Sequence, residues 1–263
     1  METSLGTGNG DPGDTRLEWL PGVGLPPRIL ALSDLSGRPI DWAASSPIRV
    51  PAFYRGQSSK PGYYWTASLG RHVTYESKAE RAFLMELDWA GTATGVLPQP
   101  FRLHFPRNAR PYRHIPDFLT CHCDGSTEVV DVKGAGQQEK PLNQLTFSLT
   151  REACDQLGFQ FTVYAGPTTI TEPNLAFLAG YRGPCAAILD EYLPVLADEV
   201  AAQELTIDEV TARLTGWGVP PGVAPAVVWR AMWQRLLTAD FLQPLTTRAT
   251  VRLDSPIILG GAA

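Results

Sequence analysis

From residue 76 to residue 89 the chain runs without glycine or proline, and its apolar positions recur at helical spacing. Phe83, Leu84 and Leu87 align with Glu76 and Glu80 on one face, while Lys78, Arg81, Met85 and Asp88 lie largely opposite. This spacing predicts a helix, with Thr74 as its N-cap. The period then shortens, and residues 96–105, 115–123 and 128–133 read as strands. Asp124-Gly125, between the last two, is a hairpin signal. Residues 138–157 return to helical spacing, with Pro141 near the start and Gly158 placed to close the helix. A strand over 160–165 follows. Helix, three strands, helix, strand predicts an α/β unit in which helices flank a mixed sheet.

The flanks differ in pattern. Residues 1–16 are rich in glycine and polar residues and predict a disordered tail. Residues 17–70 mix prolines and glycines with aromatic residues, among them Tyr63-Tyr64-Trp65, and predict loops and short strands packed on the α/β unit. Three helical patterns, 185–203, 206–214 and 225–239, come after Gly183-Pro184. The second opens with a capping-box-like Thr206-Ile207-Asp208-Glu209. A β-like pair, 241–245 and 249–253, comes last, so this region predicts a winged helix-turn-helix. The expected organisation is a tail over 1–16, an extension over 17–70, an α/β domain over 71–183 and a winged-helix-like domain over 184–263.

Composition narrows the class. The 263 residues are 44% hydrophobic and 19% charged, which suits a folded chain. No run of about 18 apolar residues is present to span a membrane. The first residues, Met1-Glu2-Thr3-Ser4, lack the basic and apolar regions of a secretion signal, and four cysteines make no disulfide framework. A cytoplasmic protein is expected. The net charge of −5 argues against a nonspecific nucleic-acid coat, but its distribution is uneven. Residues 48–113 carry ten Arg/Lys against four acids, whereas 184–263 carry nine acids against five arginines. Arg71, Arg102, Arg107, Arg110 and Arg113 are therefore candidate phosphate contacts. The acidic C-terminal region suits protein docking better than DNA, with Arg230 and Arg235 as the few cations near its presumed recognition helix. Trp229 and Trp233 are expected in its core.

The candidate chemistry lies in three places. Glu80 sits on the core-facing stripe of the first helix, where a lone carboxylate needs compensation. Asp117 opens a strand in His114-Ile115-Pro116-Asp117-Phe118. Asp131 and Lys133 alternate onto one face of the strand Val129-Val130-Asp131-Val132-Lys133. Each alone fits an ordinary helix edge or half-exposed strand. Together they form Pro-Asp, a hairpin, then Asp-x-Lys, preceded by a helical glutamate, which resembles the PD-(D/E)XK nuclease site. The residue types suit that chemistry, because Mg²⁺ is held by one or two carboxylates plus water and substrate oxygens. It neutralises phosphate charge and activates a water. A lysine alongside orients the water and steadies the developing charge.

Further motifs narrow the resemblance. Tyr75-Glu76-Ser77-x-x-Glu80, Leu87-Asp88-Trp89, Gln99-Pro100-Phe101-x-Leu103 and His114-x-Pro116-Asp117-Phe118 are similar to the TnsA family, the endonuclease subunits of heteromeric cut-and-paste transposases. Tyr63-Tyr64-Trp65-x5-Gly70-Arg71-His72 and Ala179-Gly180-Tyr181-Arg182 resemble its actinobacterial-type branch, from which Cys185 departs. The resemblance spans residues 50–185 by motif, and 185–253 only by helical pattern. It implies a restriction-endonuclease-like core and an active site of Glu80, Asp117 and Lys133. Asp131 occupies a slot where some members carry another residue. It further implies Mg²⁺, with Mn²⁺ as substitute, held by Glu80, Asp117 and Asp131. The implied partners are double-stranded DNA at transposon ends, a TnsB-like DDE transposase and a TnsC-like AAA+ ATPase; the implied reaction is cutting of the 5′ strands.

Two other functions fit the same residues: a stand-alone restriction- or repair-type nuclease, and a non-cleaving binding module. Cys121-His122-Cys123 lacks a second Cys/His pair at zinc-finger spacing, so buried thiols are expected there. No phosphate-binding loop lysine is present.

Overall fold

The β-like runs of the first half build two four-stranded sheets in the computed structural model, which describes residues 14–35, 38–51, 60–106, 112–167, 171–200 and 204–253. Nearly all of the expected tail, together with Arg107 and Arg110, lies outside these residues. The elements of the first half are β1 (Arg16–Trp19), β2 (Arg28–Ala31), α1 (Leu32–Leu35), β3 (Gly62–Thr66), β4 (Arg71–Tyr75), α2 (Lys78–Ala90), β5 (Ala93–Pro98), β6 (Phe101–Phe105), β7 (Tyr112–His114), β8 (Phe118–His122), β9 (Thr127–Val132), α3 (Ala135–Gln138), α4 (Pro141–Leu157) and β10 (Gln160–Tyr164). One sheet has the order β2-β1-β6-β7 and is antiparallel. The other, β10-β9-β8-β5, is mixed, since β10 runs parallel to β9 and the rest are antiparallel. A hairpin of β3 and β4 stands apart from both. The α/β class expected from the pattern is present.

The run 96–105, expected as a single strand, is broken between the two sheets. Pro100 has no N–H for a ladder, and Gln99 takes a left-handed φ of 45°. The chain therefore turns at this pair, leaving β5 in the mixed sheet and sending β6 to the antiparallel one.

The mixed sheet is covered on both faces, which explains why Val129 and Val130, on opposite faces of β9, are both buried. Leu119 and Val129 join Leu17, Trp19, Phe101, Leu103, Ala153 and Cys154 in one cluster between the sheets and α4. The neighbouring positions point the other way, and Phe118 stacks on Phe83 of α2 with ring centroids 5.2 Å apart.

Helix α2 starts later than expected, with Ser77 rather than Thr74 as N-cap. Met85 and Asp88, expected on its outer face, are buried because the β3–β4 hairpin packs there. Asp88 binds that hairpin directly. Its carboxylate accepts from Tyr64 Oη (3.3 Å), the main-chain N–H groups of Ala67 (3.0 Å) and Ser68 (2.8 Å), and Ser68 Oγ (2.8 Å). The second expected helix splits at Lys140-Pro141 into α3 and α4, and Gly158, with φ 72°, closes α4.

A second compact unit begins at Pro167, earlier than the break after residue 183 read from the sequence. It contains α5 (Thr171–Leu178), 3₁₀ segments at Ala179–Tyr181 and Pro184–Tyr192, α6 (Leu193–Val200), β11 (Leu205–Thr206), α7 (Ile207–Gly216), α8 (Ala224–Trp233), β12 (Leu237–Thr238) and β13 (Thr250–Leu253). The helix expected over 185–203 thus begins as 3₁₀ turns. Thr206 and Glu209 form a reciprocal capping box on α7. The strand expected over 241–245 is absent. That stretch is bound instead by Asn174, whose amide donates to the carbonyls of Phe241 and Gln243 and whose oxygen accepts from Leu245 N–H. The sheet order is β11-β13-β12. Trp229 and Trp233 are buried.

Candidate active site

Each predicted acidic residue is held in its own way. Glu80 lies in the first turn of α2 and is 7% exposed. Its N–H donates to Ser77 Oγ (3.1 Å), and its Oε2 accepts from Glu76 N–H (2.7 Å). This reciprocal cap satisfies donors that a helix start leaves open and explains how a carboxylate is tolerated on the buried stripe. Burial still pushes its pKa up, and the charge of Glu76 adds to the rise; the Glu76 N–H, Ser77 and Lys133 oppose it.

Asp117 precedes β8 directly. Its N–H donates to Val130 O (3.1 Å), and its Oδ2 accepts from Val132 N–H (2.7 Å), so β9 grips the residue by main chain and side chain together. Burial, then the charges of Asp131 and Glu80, push Asp117 from 3.8 to about 7, against the opposing effects of Val132 N–H and Lys133. The register of β8 and β9 pairs Phe118 with Val130, which brings Asp117 beside Asp131 across the ladder.

Asp131 is 1% exposed, and both its oxygens take His114 Nε2, at 3.0 and 2.8 Å. His114 ends β7 in the other sheet, so this contact joins the two sheets at the site. Sequence pattern gave no signal for it. His114 and Asp131 are far apart along the chain, and only the fold of β7 against β9 brings them together. Lys133 follows β9 and is half-buried; its N–H donates to Tyr164 O (2.9 Å), extending the parallel ladder with β10.

The site thus sets Asp117, at the start of β8, within electrostatic reach of Glu80 from α2, Asp131 from β9 and Lys133, and Glu80 within reach of the same lysine. Among the described residues, no three His, Cys, Asp or Glu side chains are gathered tightly enough to hold a metal ion by themselves. Mg²⁺ does not require that, because one or two carboxylates, water and substrate oxygens complete its shell. Asp117 spends only Oδ2 on Val132, and its pKa is raised by burial and then by the charges of Asp131 and Glu80, a repulsion that a cation would relieve. The donor set fits a hard divalent cation better than one needing three or four protein ligands.

The arginines divide. Arg113 is exposed on β7. Arg102 donates to Glu18 Oε2 at 2.8 Å, an acceptor it shares with His104. Arg71 has an exposed side chain but donates one guanidinium N–H to Val96 O. In the second unit Arg230 is buried, with Nε and Nη2 on Asp190 and Nη1 on Tyr181 O. It is spent on packing. Cys121 is half-buried and Cys123 exposed, contrary to the expected buried pair, and all four thiols are free.

No model of a known protein family matches the chain, and no curated protein is detectably similar to it.

Proposed function

We propose that this chain is a Mg²⁺-dependent DNA endonuclease of the PD-(D/E)XK kind, acting as the 5′-strand-cutting subunit of a TnsA/TnsB-type transposase. The observation that carries the reading is the convergence of Glu80, Asp117, Asp131 and Lys133 from three elements, with Asp117 raised to about 7 by burial first and then by the charges of Asp131 and Glu80. Glu80 and Asp117, with Asp131 beside them, would hold Mg²⁺, which when bound neutralises phosphate charge and lowers the pKa of an attacking water. Lys133 orients that water and stabilises charge on the scissile phosphate. Val132 N–H and His114 hold the carboxylates of Asp117 and Asp131 in place. The motif resemblance supplies the substrate, transposon-end DNA, and the partners, a DDE transposase and an AAA+ ATPase. In the second unit, the order from α6 onward, helix, strand, two helices, two strands, supports a winged-helix-like module, and the burial of Arg230 and net acidity favour its docking to protein.

The test is nicking of plasmid or end-fragment DNA with Mg²⁺, with and without a cognate DDE partner. Wild type is expected to cut, and Asp117→Ala and Lys133→Ala to lose on the order of 100-fold or more in rate. Metal-dependent cutting retained by both variants refutes the site assignment. No cutting even in the complete complex leaves the binding module as the better reading.

A further inference from the structure

Gln99 is one of two described non-glycine residues with positive φ, and it is 4% exposed. A left-handed backbone is unfavourable for a residue with a Cβ and persists only where its surroundings over-determine it. Those surroundings lead to the candidate site. Gln99 N–H donates to Asp117 O at 2.8 Å, and Gln99 O accepts from Ile48 N–H at 2.9 Å. Gln99 Oε1 accepts from Arg49 Nε at 3.2 Å. Arg49 Nη2 in turn donates to Glu76 Oε2 at 2.6 Å, and Glu76 N–H donates to Glu80 Oε2 at 2.7 Å. A continuous hydrogen-bonded path therefore runs from the main chain of Asp117 through Gln99, Arg49 and Glu76 to the carboxylate of Glu80.

We propose that Arg49 is a positioning residue for this site. Its guanidinium grips Gln99, which is bonded to the Asp117 main chain, and Glu76, whose N–H holds Glu80. It thereby fixes the spacing at which the carboxylates of Glu80 and Asp117 meet one divalent cation. The proposal rests on the nuclease reading for that cation. Two nitrogens of one rigid fork serve two acceptors on different elements, which an ammonium on a flexible stem does not reproduce. The strained elbow at Gln99 has a use in this arrangement: it turns the side chain toward Arg49 while its N–H stays on Asp117. Segment 38–51, which contains Arg49, then belongs to the construction of the site.

A purely structural role predicts something different. The Arg49–Glu76 pair is half exposed, with side chains 51% and 25% accessible, and such pairs add little to stability. Replacement should therefore spare the fold and act on the metal. The full-length chain and its Arg49→Ala, Arg49→Lys and Gln99→Gly variants are compared in three ways: Mn²⁺ binding without DNA by calorimetry, the Mg²⁺ dependence of nicking in the complete complex, and thermal unfolding. Both Arg49 variants are expected to weaken Mn²⁺ binding and to raise the half-saturating Mg²⁺ by about tenfold, the usual scale for groups that orient ligands. The rate at saturating Mg²⁺ should return toward wild type, and Tm should stay near it. Gln99→Gly relieves the left-handed strain, so its Tm should match or exceed wild type while its metal affinity falls with that of the Arg49 variants. Unchanged Mn²⁺ affinity and Mg²⁺ dependence in Arg49→Ala overturns the proposal and leaves the nuclease reading intact. A wild type that binds Mn²⁺ but never cuts overturns the nuclease reading alone, and the affinities of the variants still decide the role of Arg49. A wild type that binds no Mn²⁺ and shows no metal-dependent nicking in the complete complex overturns both.

Discussion

Val132 N–H meets Asp117 Oδ2 at 2.7 Å, so a side-chain carboxylate serves β9 as an acceptor where β8 begins. One oxygen of Asp117 is thereby fixed to the sheet, and the half-buried group lies within reach of the charges of Asp131 and Glu80. Its position is set by the backbone, and its charge is opposed by its neighbours.

That opposition has a pH signature. In the folded chain the proton on Asp117 is held up to about pH 7, whereas the ordinary value for the group is 3.8. Between those values the folded state binds more protons than the unfolded state, so metal-free stability falls as pH rises from about 4 to about 7, then levels. Asp117→Asn keeps an acceptor for Val132 N–H and removes the charge. It should stabilise the metal-free protein at pH 8 by up to a few kcal/mol and change it little at pH 4, while abolishing cutting. Thermal unfolding of both proteins in chelator across this range is the check. An equal Tm difference at pH 4 and pH 8 would refute the argument.

Asp88 should be the most costly acidic residue to remove from α2. Its carboxylate takes four donors from the β3–β4 hairpin. Asp88→Ala leaves Ser68 and Ala67 N–H groups without their acceptor, and is expected to cost about 2–4 kcal/mol. The denaturant midpoint measures this. A loss under about 0.5 kcal/mol would mean that water replaces the carboxylate.

The basic segment should act on DNA unevenly. Arg113 is exposed, whereas Arg102 is paired with Glu18. On duplex DNA, loss of one phosphate contact lowers the salt slope by about 0.9. Arg113→Ala should show that change, and Arg102→Ala should show much less, in binding titrations over a range of salt. Equal slopes for both variants would contradict the division.

Much of the site could be read along the chain because its residues are tied to local elements. Asp131 and Lys133 share a strand parity, Asp117 follows the proline that opens a strand, and Glu80 sits on the stripe of a helix. Local pattern gave less at Gln99-Pro100, where a run that looked continuous is shared between two sheets. It also misjudged Met85 and Asp88, because the hairpin that covers the outer face of α2 is formed by a stretch with no regular period. The turn at 241–245 alternates like a strand, yet a single side chain, Asn174, binds it.

By itself the sequence determined which residue types carry the candidate chemistry, their order, and the α/β alternation that places them, because periodicity and turn residues act over a few positions. Only the tertiary structure decided that the middle region makes two sheets, that His114 takes Asp131, that Arg102 and Arg230 are spent on Glu18 and Asp190, and that Arg49 joins Gln99 to Glu76. Each of these pairings links residues at least 17 positions apart, with a geometry set by how sheets and helices stack, which no local period encodes.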